Sequence, residues 1–304
     1  MFETFREPIV TRPLEGMPGG LLGWVCRMSK SIRKAMRIVD LFSLEKPEWG
    51  VSEAARTLGL AKSTTSELMS ELADHRLLRR ASGRGRYRLG WRLFELSQTL
   101  LDTTEFRNEA RRVMRELVVD WGETVHLAVL DDAQAVYVEK LQPTPAVKIK
   151  ITRSGARLLA HCSGVGKVLL ANTEWEHAAK LLEYQGMPAL TPNTITTLEG
   201  LAEELERVRE RGYAYDHEET LIGLCCVAAP IQDSRGEVIA AVSISVPAYR
   251  FGPREDEYTA AIRDAARRIS EDAVPALEER PGDEAKEALA SEKMKLGAES
   301  PAAR

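Results

Sequence analysis

The sequence has few of the features on which several protein classes depend. It contains four cysteines in 304 residues, and their spacing fits neither a disulfide framework nor a metal finger. No apolar run approaches the roughly 18 residues that span a membrane. The apolar stretch from Gly20 to Val25 is too short and too poorly flanked to be a secretory signal. We therefore expect a cytoplasmic protein with reduced thiols and no membrane partner.

Charge is distributed unevenly along the chain. The hydrophobic content of 44% and the charged content of 29% are ordinary for a globular protein, and 304 residues suffice for two domains. Residues 28–95 hold 14 Lys and Arg against 8 Asp and Glu, a net charge of +6, whereas the residues from Leu96 onward have a net charge of −10. This asymmetry indicates that one end of the chain binds a polyanion. Solvated surface charge would explain it equally well.

Three short helices are predicted after residue 28. Apolar residues between Ser31 and Phe42 fall largely on one helix face. Ser52 is placed to cap a second helix that ends at Gly59, and Ser63 is placed to cap a third. The predicted inward positions of the third helix are Thr65, Leu68, Met69 and Leu72. The second and third helices indicate either a helix-turn-helix or a plain αα-hairpin.

A β-hairpin with many arginines is predicted next. Strands Leu77–Arg80 and Arg86–Leu89 flank a turn at residues 82–85, and alternation places Tyr87 and Leu89 on the same face. The five arginines of this region are Arg79, Arg80, Arg84, Arg86 and Arg88. After a helix-turn-helix, a basic hairpin is typical of a wing that binds phosphates or a minor groove. A solvated hairpin is the alternative.

Longer elements are predicted beyond the hairpin. Residues 91–102 and 105–120 predict two helices suited to self-association. The predicted strands are Val125–Leu130, Ala135–Leu141, Val147–Ile151, Leu224–Ile231 and Val238–Val246. The predicted helices are Val165–Ala171, Trp175–Glu183, Leu198–Arg211 and a last one from about Arg254 to Ala273. Strands joined by hairpins, with flanking helices, indicate an α+β sensor domain rather than a doubly wound enzyme.

These patterns divide the chain into five segments. Residues 1–27 predict a flexible leader, and Met28 is a candidate translation start. Residues 28–90 predict the winged helix-turn-helix domain and residues 91–104 a linker helix. Residues 105–279 predict the α+β effector-binding domain, and the acidic residues 280–304 predict a disordered tail.

Motifs in both halves support one resemblance. They include Gly85-Arg86-Tyr87-Arg88-Leu89-Gly90, the segment HCSGVGKVLLA at residues 161–171 and the segment AAVSISVP at residues 240–247. Residues 52–64 and 212–231 contain further motifs of the same family, and the resemblance extends from about Ser29 to Ala276. In order and spacing the chain resembles the IclR-type regulators, the family named for the isocitrate lyase regulator.

The resemblance implies both an architecture and a mode of action. It implies a winged helix-turn-helix joined to a GAF-like α+β effector domain, in a homodimer or a homotetramer. Such regulators bind palindromic operators in double-stranded DNA, and many respond to small organic acids or aromatic metabolites. No cofactor, no metal and no enzymatic activity are expected.

The candidate DNA-binding residues lie on the third helix and on the hairpin. The exposed start of the third helix should enter the major groove, with its amides and Lys62 on phosphates. Glu67 departs from the family, which often has Arg there; a glutamate can accept from cytosine but repels phosphate. Affinity should therefore depend on the wing. The predicted contacts are Lys62, Ser63, Thr64, Ser66, Glu67, Arg79, Arg84, Arg86 and Arg88.

The candidate effector residues lie in three distant segments. Ser243 and Ser245 share one face of a strand, which is unusual for a core face unless it meets something polar. Ser163 opens a helix whose free amides favour a carboxylate. The resemblance, carried over position by position, implies effector contacts at Gly164, Val165, Asp216, Cys226, Ser243 and Ser245. Each of them alone has an ordinary structural explanation.

Enzyme-like patterns are present but incomplete. A phosphate-loop interpretation of residues 161–168 fails because His161 and Val168 stand where Gly and Ser or Thr are needed. His161, Cys162 and Cys226 form a weak metal-ligand pattern. A nucleophile formed by either cysteine with His217 lacks an orienting third group.

Two functions from different classes remain. The first is a transcription regulator, a repressor, whose operator binding is modulated by a small organic metabolite such as a carboxylate or an aromatic acid. The second is a ligand-binding or enzymatic protein whose N-terminal helices serve only for dimerisation. The basic hairpin argues against the second, because dimerisation does not need five clustered arginines. Nonspecific nucleic-acid binding is a third possibility.

Overall fold

The computed structural model describes residues 29–82, 85–104, 106–143 and 153–272. They form two compact units, the first of which ends at Thr104. Several sequence predictions fall outside the described residues: the leader 1–27, the start at Met28, the wing residue Arg84, the strand Val147–Ile151 and the tail 280–304.

The first unit contains four helices and a small sheet among its described residues. The helices are α1 (Lys30–Val39), α2 (Val51–Leu58), α3 (Lys62–Asp74) and α4 (Trp91–Asp102). The strands are β1 (Trp49–Gly50), β2 (Leu78–Arg80) and β3 (Arg86–Leu89), which form an antiparallel sheet in the order β1-β3-β2. The helix-turn-helix and the wing hairpin are therefore both present.

The periodic apolar residues of the first unit form one core. Thr65, Met69 and Leu72 of α3 are buried as predicted, and Leu68 is half-buried. The core is completed by Ile38, Trp49, Ala54, Leu78 and Tyr87. Helix α2 ends at Gly59, whose φ of 66° is the left-handed conformation that glycine adopts without strain.

Two local predictions in the first unit are wrong. Helix α2 begins two residues earlier than predicted, so Gly50 is its N-cap and Ser52 lies inside the first turn. Helix α3 likewise begins at Lys62 after Ala61, so Ser63 is not its cap. Tyr87 is buried, whereas Leu89, which was predicted to share its face, is 42% exposed. Strand β1 pairs only with Arg86 and Tyr87, so no β1 residue lies beside Leu89.

The second unit is built on a six-stranded antiparallel sheet in the order β6-β5-β4-β9-β8-β7. Its strands are β4 (Thr124–Asp131), β5 (Gln134–Leu141), β6 (Arg157–Leu159), β7 (Ala214–His217), β8 (Leu224–Gln232) and β9 (Val238–Pro247). Its helices are α5 (Phe106–Trp121), α6 (Gly164–Ala171), α7 (Trp175–Gln185), α8 (Leu198–Arg211), α9 (Ala248–Phe251) and α10 (Glu255–Asp272). The predicted α+β class is correct, whereas the short strands β6 and β7 were not predicted.

Alternation along the strands gives the sheet two different faces. On β9, Val242, Ile244 and Val246 pack into a core with α5 and α10. On the opposite face small residues predominate, among them Ala128, Ala214, Ala228 and Ala241, and α6, α7 and α8 cover this face. Because alanines occupy little space, α6 approaches the sheet closely.

None of the helices in the described residues is both long enough and apolar enough to cross a membrane.

Candidate DNA-binding surface and effector cavity

The first turns of α3 present the polar surface predicted for DNA contact. Lys62, Ser63, Ser66 and Glu67 are exposed, and Thr64 is half-buried. Side chains of this kind at the start of a recognition helix can reach base edges and phosphates. Glu67 brings its negative charge to the same surface.

The arginines of the wing are not all available to a polyanion. Arg86 Nε bonds to Glu48 Oε1, and Arg88 Nε lies 2.8 Å from Glu48 Oε2. The hydrogen bond from Arg86, followed by that from Arg88, lowers the pKa of Glu48. DNA phosphates would therefore have to compete with a carboxylate for these two guanidinium groups.

The other described arginines of this region are differently placed. Arg79 is exposed, and its guanidinium carbon lies 5.9 Å from the centre of the Trp91 ring. Arg80 Nη2 is 3.4 Å from Ser70 Oγ of α3. Sequence reasoning did not find Glu48 as a partner, because it precedes Arg86 by 38 residues.

A buried cavity in the second unit gathers all six predicted effector residues. Gly164 and Val165 come from α6, Asp216 from β7, Cys226 from β8, and Ser243 and Ser245 from β9. The cavity is also lined by residues that were not predicted: His126, Tyr137, Leu158, Ser163, Thr220, Leu221 and Leu224.

Strand register explains why these distant residues meet. Asp216 pairs with Cys226 across β7 and β8, and Cys226 pairs with Ser245 across β8 and β9. His126 pairs with Ser243 across β4 and β9. Paired residues point to the same side of a sheet. These pairs therefore place one carboxyl, one thiol, two hydroxyls and one imidazole on the face that α6 covers.

The start of α6 supplies unpaired amides to the cavity. Ser163 caps the helix by accepting a 3.2 Å hydrogen bond from Gly166 N, and helix geometry leaves the amides of Gly164 and Val165 without intrahelical partners. Gly166 is needed for packing, because a Cβ there would lie 2.3 Å from Ala160 Cα. The glycine-rich sequence thus serves close packing and a helix start that lines the cavity, rather than a phosphate loop.

The cavity presents polar groups within a mostly apolar lining, and Asp216 is the acidic side chain among its described lining residues. Burial raises the pKa of Asp216, whose Oδ1 accepts 2.7 Å and 3.2 Å hydrogen bonds from the amides of Glu219 and Thr220. Burial also raises the pKa of the Cys226 thiol well above its usual range and lowers that of His126 to about 3. Among the described residues, no Lys or Arg lines the cavity. A bound anion would therefore be held by neutral donors.

His126 and Tyr137 are the most informative lining residues that sequence reasoning missed. Their rings stack with centroids 4.4 Å apart. His126 lies on the same sheet face as Ala128, two residues further along β4. A histidine within the predicted strand Val125–Leu130 was the available signal, but its inward direction becomes clear only when the register is known.

A buried ion pair holds one wall of the cavity. Lys167 of α6 bonds to Glu219, and both side chains are almost fully buried. Burial raises the pKa of Glu219 to about 7, against the opposing effect of Lys167. The hydroxyls of Thr191 and Thr194 donate to the Glu219 carbonyl at 3.2 Å and 2.6 Å. The turn after β7, which carries the lining residue Thr220, is therefore anchored on several sides.

The enzyme-like patterns occupy structural positions. Burial raises the pKa of Cys162 to about 12, so its thiol stays protonated and is a poor nucleophile. His217 Nε2 lies 3.2 Å from Glu255, and His161 Nε2 lies 3.3 Å from the Pro188 carbonyl. Within the residues that the structure describes, no group of three His, Cys, Asp or Glu side chains is placed to hold a metal ion.

Two family models and several known proteins match the chain. The model of the IclR helix-turn-helix domain matches residues 31–82, and that of the bacterial transcriptional regulator IclR C-terminal domain matches residues 98–271. The HTH-type transcriptional regulator XynR of Escherichia coli is 34% identical over 226 residues, which cover 74% of this chain and 89% of that protein. The transcriptional repressor IclR of Escherichia coli is 31% identical over 244 residues, 79% of this chain and 89% of that protein.

A solved structure agrees with these matches. The crystal structure of an IclR homolog from Microbacterium hydrocarbonoxydans, complexed with 4-hydroxybenzoate, has a TM-score of 0.68 and 26% identity, and covers 80% of this chain and 98% of that one. The family models, the relatives and the fold all lead to one assignment: the chain belongs to the IclR family of bacterial transcriptional regulators.

Proposed function

We propose that this protein is a transcriptional repressor whose operator binding is modulated by a small organic acid bound in the cavity of the second unit. The observation that carries the proposal is the convergence of Gly164, Asp216, Cys226 and Ser245 on one buried cavity, in a chain that also has a winged helix-turn-helix. A relative named as a repressor supports repression, and a homolog complexed with 4-hydroxybenzoate supports an organic acid.

On the DNA side, α3 enters the major groove and the wing holds the backbone. Lys62, Ser63 and Ser66 make the first contacts, because they are exposed at the start of α3. Arg79, Arg84, Arg86 and Arg88 contact phosphates, the last two after exchanging Glu48 for DNA.

The first unit also has the surface of a self-associating protein. Large apolar side chains are exposed on α1 and α4: Ile32, Met36, Trp91, Phe94 and Leu100. Exposed apolar patches of this kind mark interaction sites. A homodimer formed through this surface, which can pair into a homotetramer, would read the two halves of a palindromic operator.

A gel-shift assay with the DNA upstream of the protein's own gene tests the proposal. We expect a complex that resists a large excess of unrelated competitor DNA. The protein concentration that gives half-maximal binding should shift when pyruvate or 4-hydroxybenzoate is added. Loss of the complex to competitor would indicate nonspecific binding. No complex at low salt, with or without the acids, would favour the alternative of a ligand-binding or enzymatic protein that uses its N-terminal helices only to dimerise.

A wing variant separates the DNA contact from the rest of the protein. Replacing Arg84, Arg86 and Arg88 with Ala should abolish operator binding, because phosphate contacts dominate affinity. The matched control is Arg235→Ala, which removes an exposed arginine from the second unit and should leave binding unchanged. Normal binding by the triple variant would contradict the role of the wing.

A further inference from the structure

One residue in the wall of the candidate effector cavity has an unpaired ring nitrogen. Among the described residues, five buried side-chain polar atoms have no hydrogen-bond partner. One of them, Nε2 of His126, belongs to a residue that lines this cavity and is only 1% exposed. A buried polar atom without a partner is unfavourable. A ligand that bonds to this nitrogen would therefore gain affinity from a group that the protein leaves unused.

The rest of the imidazole is held in place. Its Nδ1 lies 3.3 Å from Ser245 Oγ, and its ring stacks on Tyr137 with an interplanar angle of 21°. On the sheet His126 is paired with Ser243 and with Lys140. Turning the ring would break both side-chain contacts, so Nε2 has a fixed position.

The neighbouring side chains indicate which nitrogen carries the hydrogen. A neutral imidazole has one donor and one acceptor nitrogen, and burial keeps this ring neutral by lowering its pKa to about 3. Cys226 Sγ lies 3.0 Å from Ser245 Oγ. The protonated thiol donates to Ser245, and the Ser245 hydroxyl donates to Nδ1. This arrangement is favoured over one in which Ser245 donates to Cys226, because sulfur is a weaker acceptor than an imidazole nitrogen. The ring hydrogen is then on Nε2.

We propose that His126 is a ligand-contacting residue, which donates its Nε2–H to an oxygen of the effector while Ser245 and Cys226 fix its tautomer. This inference rests on the proposed function of the cavity as the effector site. With no Lys or Arg among the described lining residues, the imidazole and the first amides of α6 are neutral donors for a carboxylate or carbonyl oxygen. His126 thereby selects ligands that carry an acceptor at this position.

Two substitutions separate the two ring nitrogens. The side-chain amide of Asn reaches about as far as Nδ1, whereas that of Gln reaches about as far as Nε2. His126→Gln should keep a donor in the cavity, and His126→Asn should remove it while both side chains stay neutral. Calorimetric titration of the full chain with pyruvate and with 4-hydroxybenzoate measures the affinity, and thermal unfolding of the same samples confirms that both variants are folded.

We expect His126→Asn to bind the better of the two acids about tenfold more weakly than the wild type, and His126→Gln to bind it within about threefold. Long-range proton–nitrogen NMR spectra of the histidine-labelled full chain add a second measurement. The His126 signals, assigned by their loss in His126→Asn, should show hydrogen on Nε2, no titration between about pH 5 and 8, and a shift of Nε2 when the acid binds.

The outcomes distinguish the inference from the proposed function. If the wild type binds an acid and the Asn variant binds it equally well, or if Gln loses as much affinity as Asn, the role of His126 is wrong while the effector cavity stands. A hydrogen on Nδ1 overturns the donor assignment. If the wild type binds neither acid, the proposed effector class and this inference fail together.

Discussion

The candidate DNA-binding surface and the effector cavity are built in opposite ways. The surface uses exposed side chains of one helix and one hairpin, and its arginines make hydrogen bonds that water and ions can replace. The cavity uses side chains from all six strands of the second sheet and the start of α6, which lie far apart in sequence. Changes at the surface should therefore alter binding with little effect on folding, whereas changes at the cavity should alter both.

The largest expected effect is on stability, at the ion pair beside the cavity. Lys167→Met leaves Glu219 buried without its partner, and breaking a buried pair in this way costs about 3–5 kcal/mol. Urea unfolding at pH 8 measures the loss of free energy of unfolding. At the surface, Arg86→Met breaks an exposed pair with Glu48 and should cost about 0–1 kcal/mol.

A double variant controls for the lost packing of Lys167. Lys167→Met combined with Glu219→Leu removes both charges, and a buried pair replaced by apolar side chains often loses no stability. We expect the double variant to be more stable than Lys167→Met alone. If Lys167→Met were as stable as Arg86→Met, the cavity would tolerate such changes as well as the surface does, and the contrast between the two regions would be wrong.

A smaller effect is expected on DNA affinity, in the direction of tighter binding. Glu48→Gln frees Arg86 and Arg88 from their shared carboxylate, so both can bind phosphates without competition. Operator affinity should rise, and the slope of log K against log salt should steepen by about 0.9 for each additional phosphate that the wing neutralises. Gel shifts over a salt series measure both quantities, and the unfolding curve should barely change. An unchanged slope would mean that Glu48 does not restrain the wing.

A pH dependence of stability is also expected from Glu219. Burial raises its pKa from 4.5 to about 7, so between these values the folded state binds more protons than the unfolded state. Its contribution to stability is therefore fully present below about pH 4.5 and is lost as the pH rises through about 7. The free energy of unfolding should be measured from pH 4.5 to 8 for the wild type and for Glu219→Gln. Other buried carboxyls contribute equally to both pH profiles, so the difference between the profiles reports Glu219 alone. If the two profiles of stability against pH were parallel, the raised pKa of Glu219 would be contradicted.

Sequence periodicity predicted much of the fold but few of its ends. The inward positions Thr65, Met69 and Leu72 followed from a 3.6-residue repeat, which depends only on neighbours along the chain. The caps assigned to Ser52 and Ser63 were wrong by two residues, because both helices begin after residues without a capping side chain, Gly50 and Ala61. Strand β7 was missed because four residues, of which only two are buried, give almost no alternation signal.

For the cavity, sequence alone could name candidates but could not assemble them. The shared face of Ser243 and Ser245 followed from strand alternation, and the free amides after Ser163 followed from helix geometry. The remaining candidates were implied by a family resemblance. His126 was not found, because no local pattern states which strand lies beside β9.

The sequence by itself determined the local features of this protein: the period of its helices, the alternation of its strands, the basic wing and the family motifs that join them. Only the tertiary structure decided which groups meet: Glu48 with the wing arginines, Lys167 with Glu219, and His126 with Ser245. The physical reason is that charge pairing and hydrogen bonding act over a few ångströms in space. Strand register brings together residues such as His126 and Ser245, which are 119 positions apart along the chain.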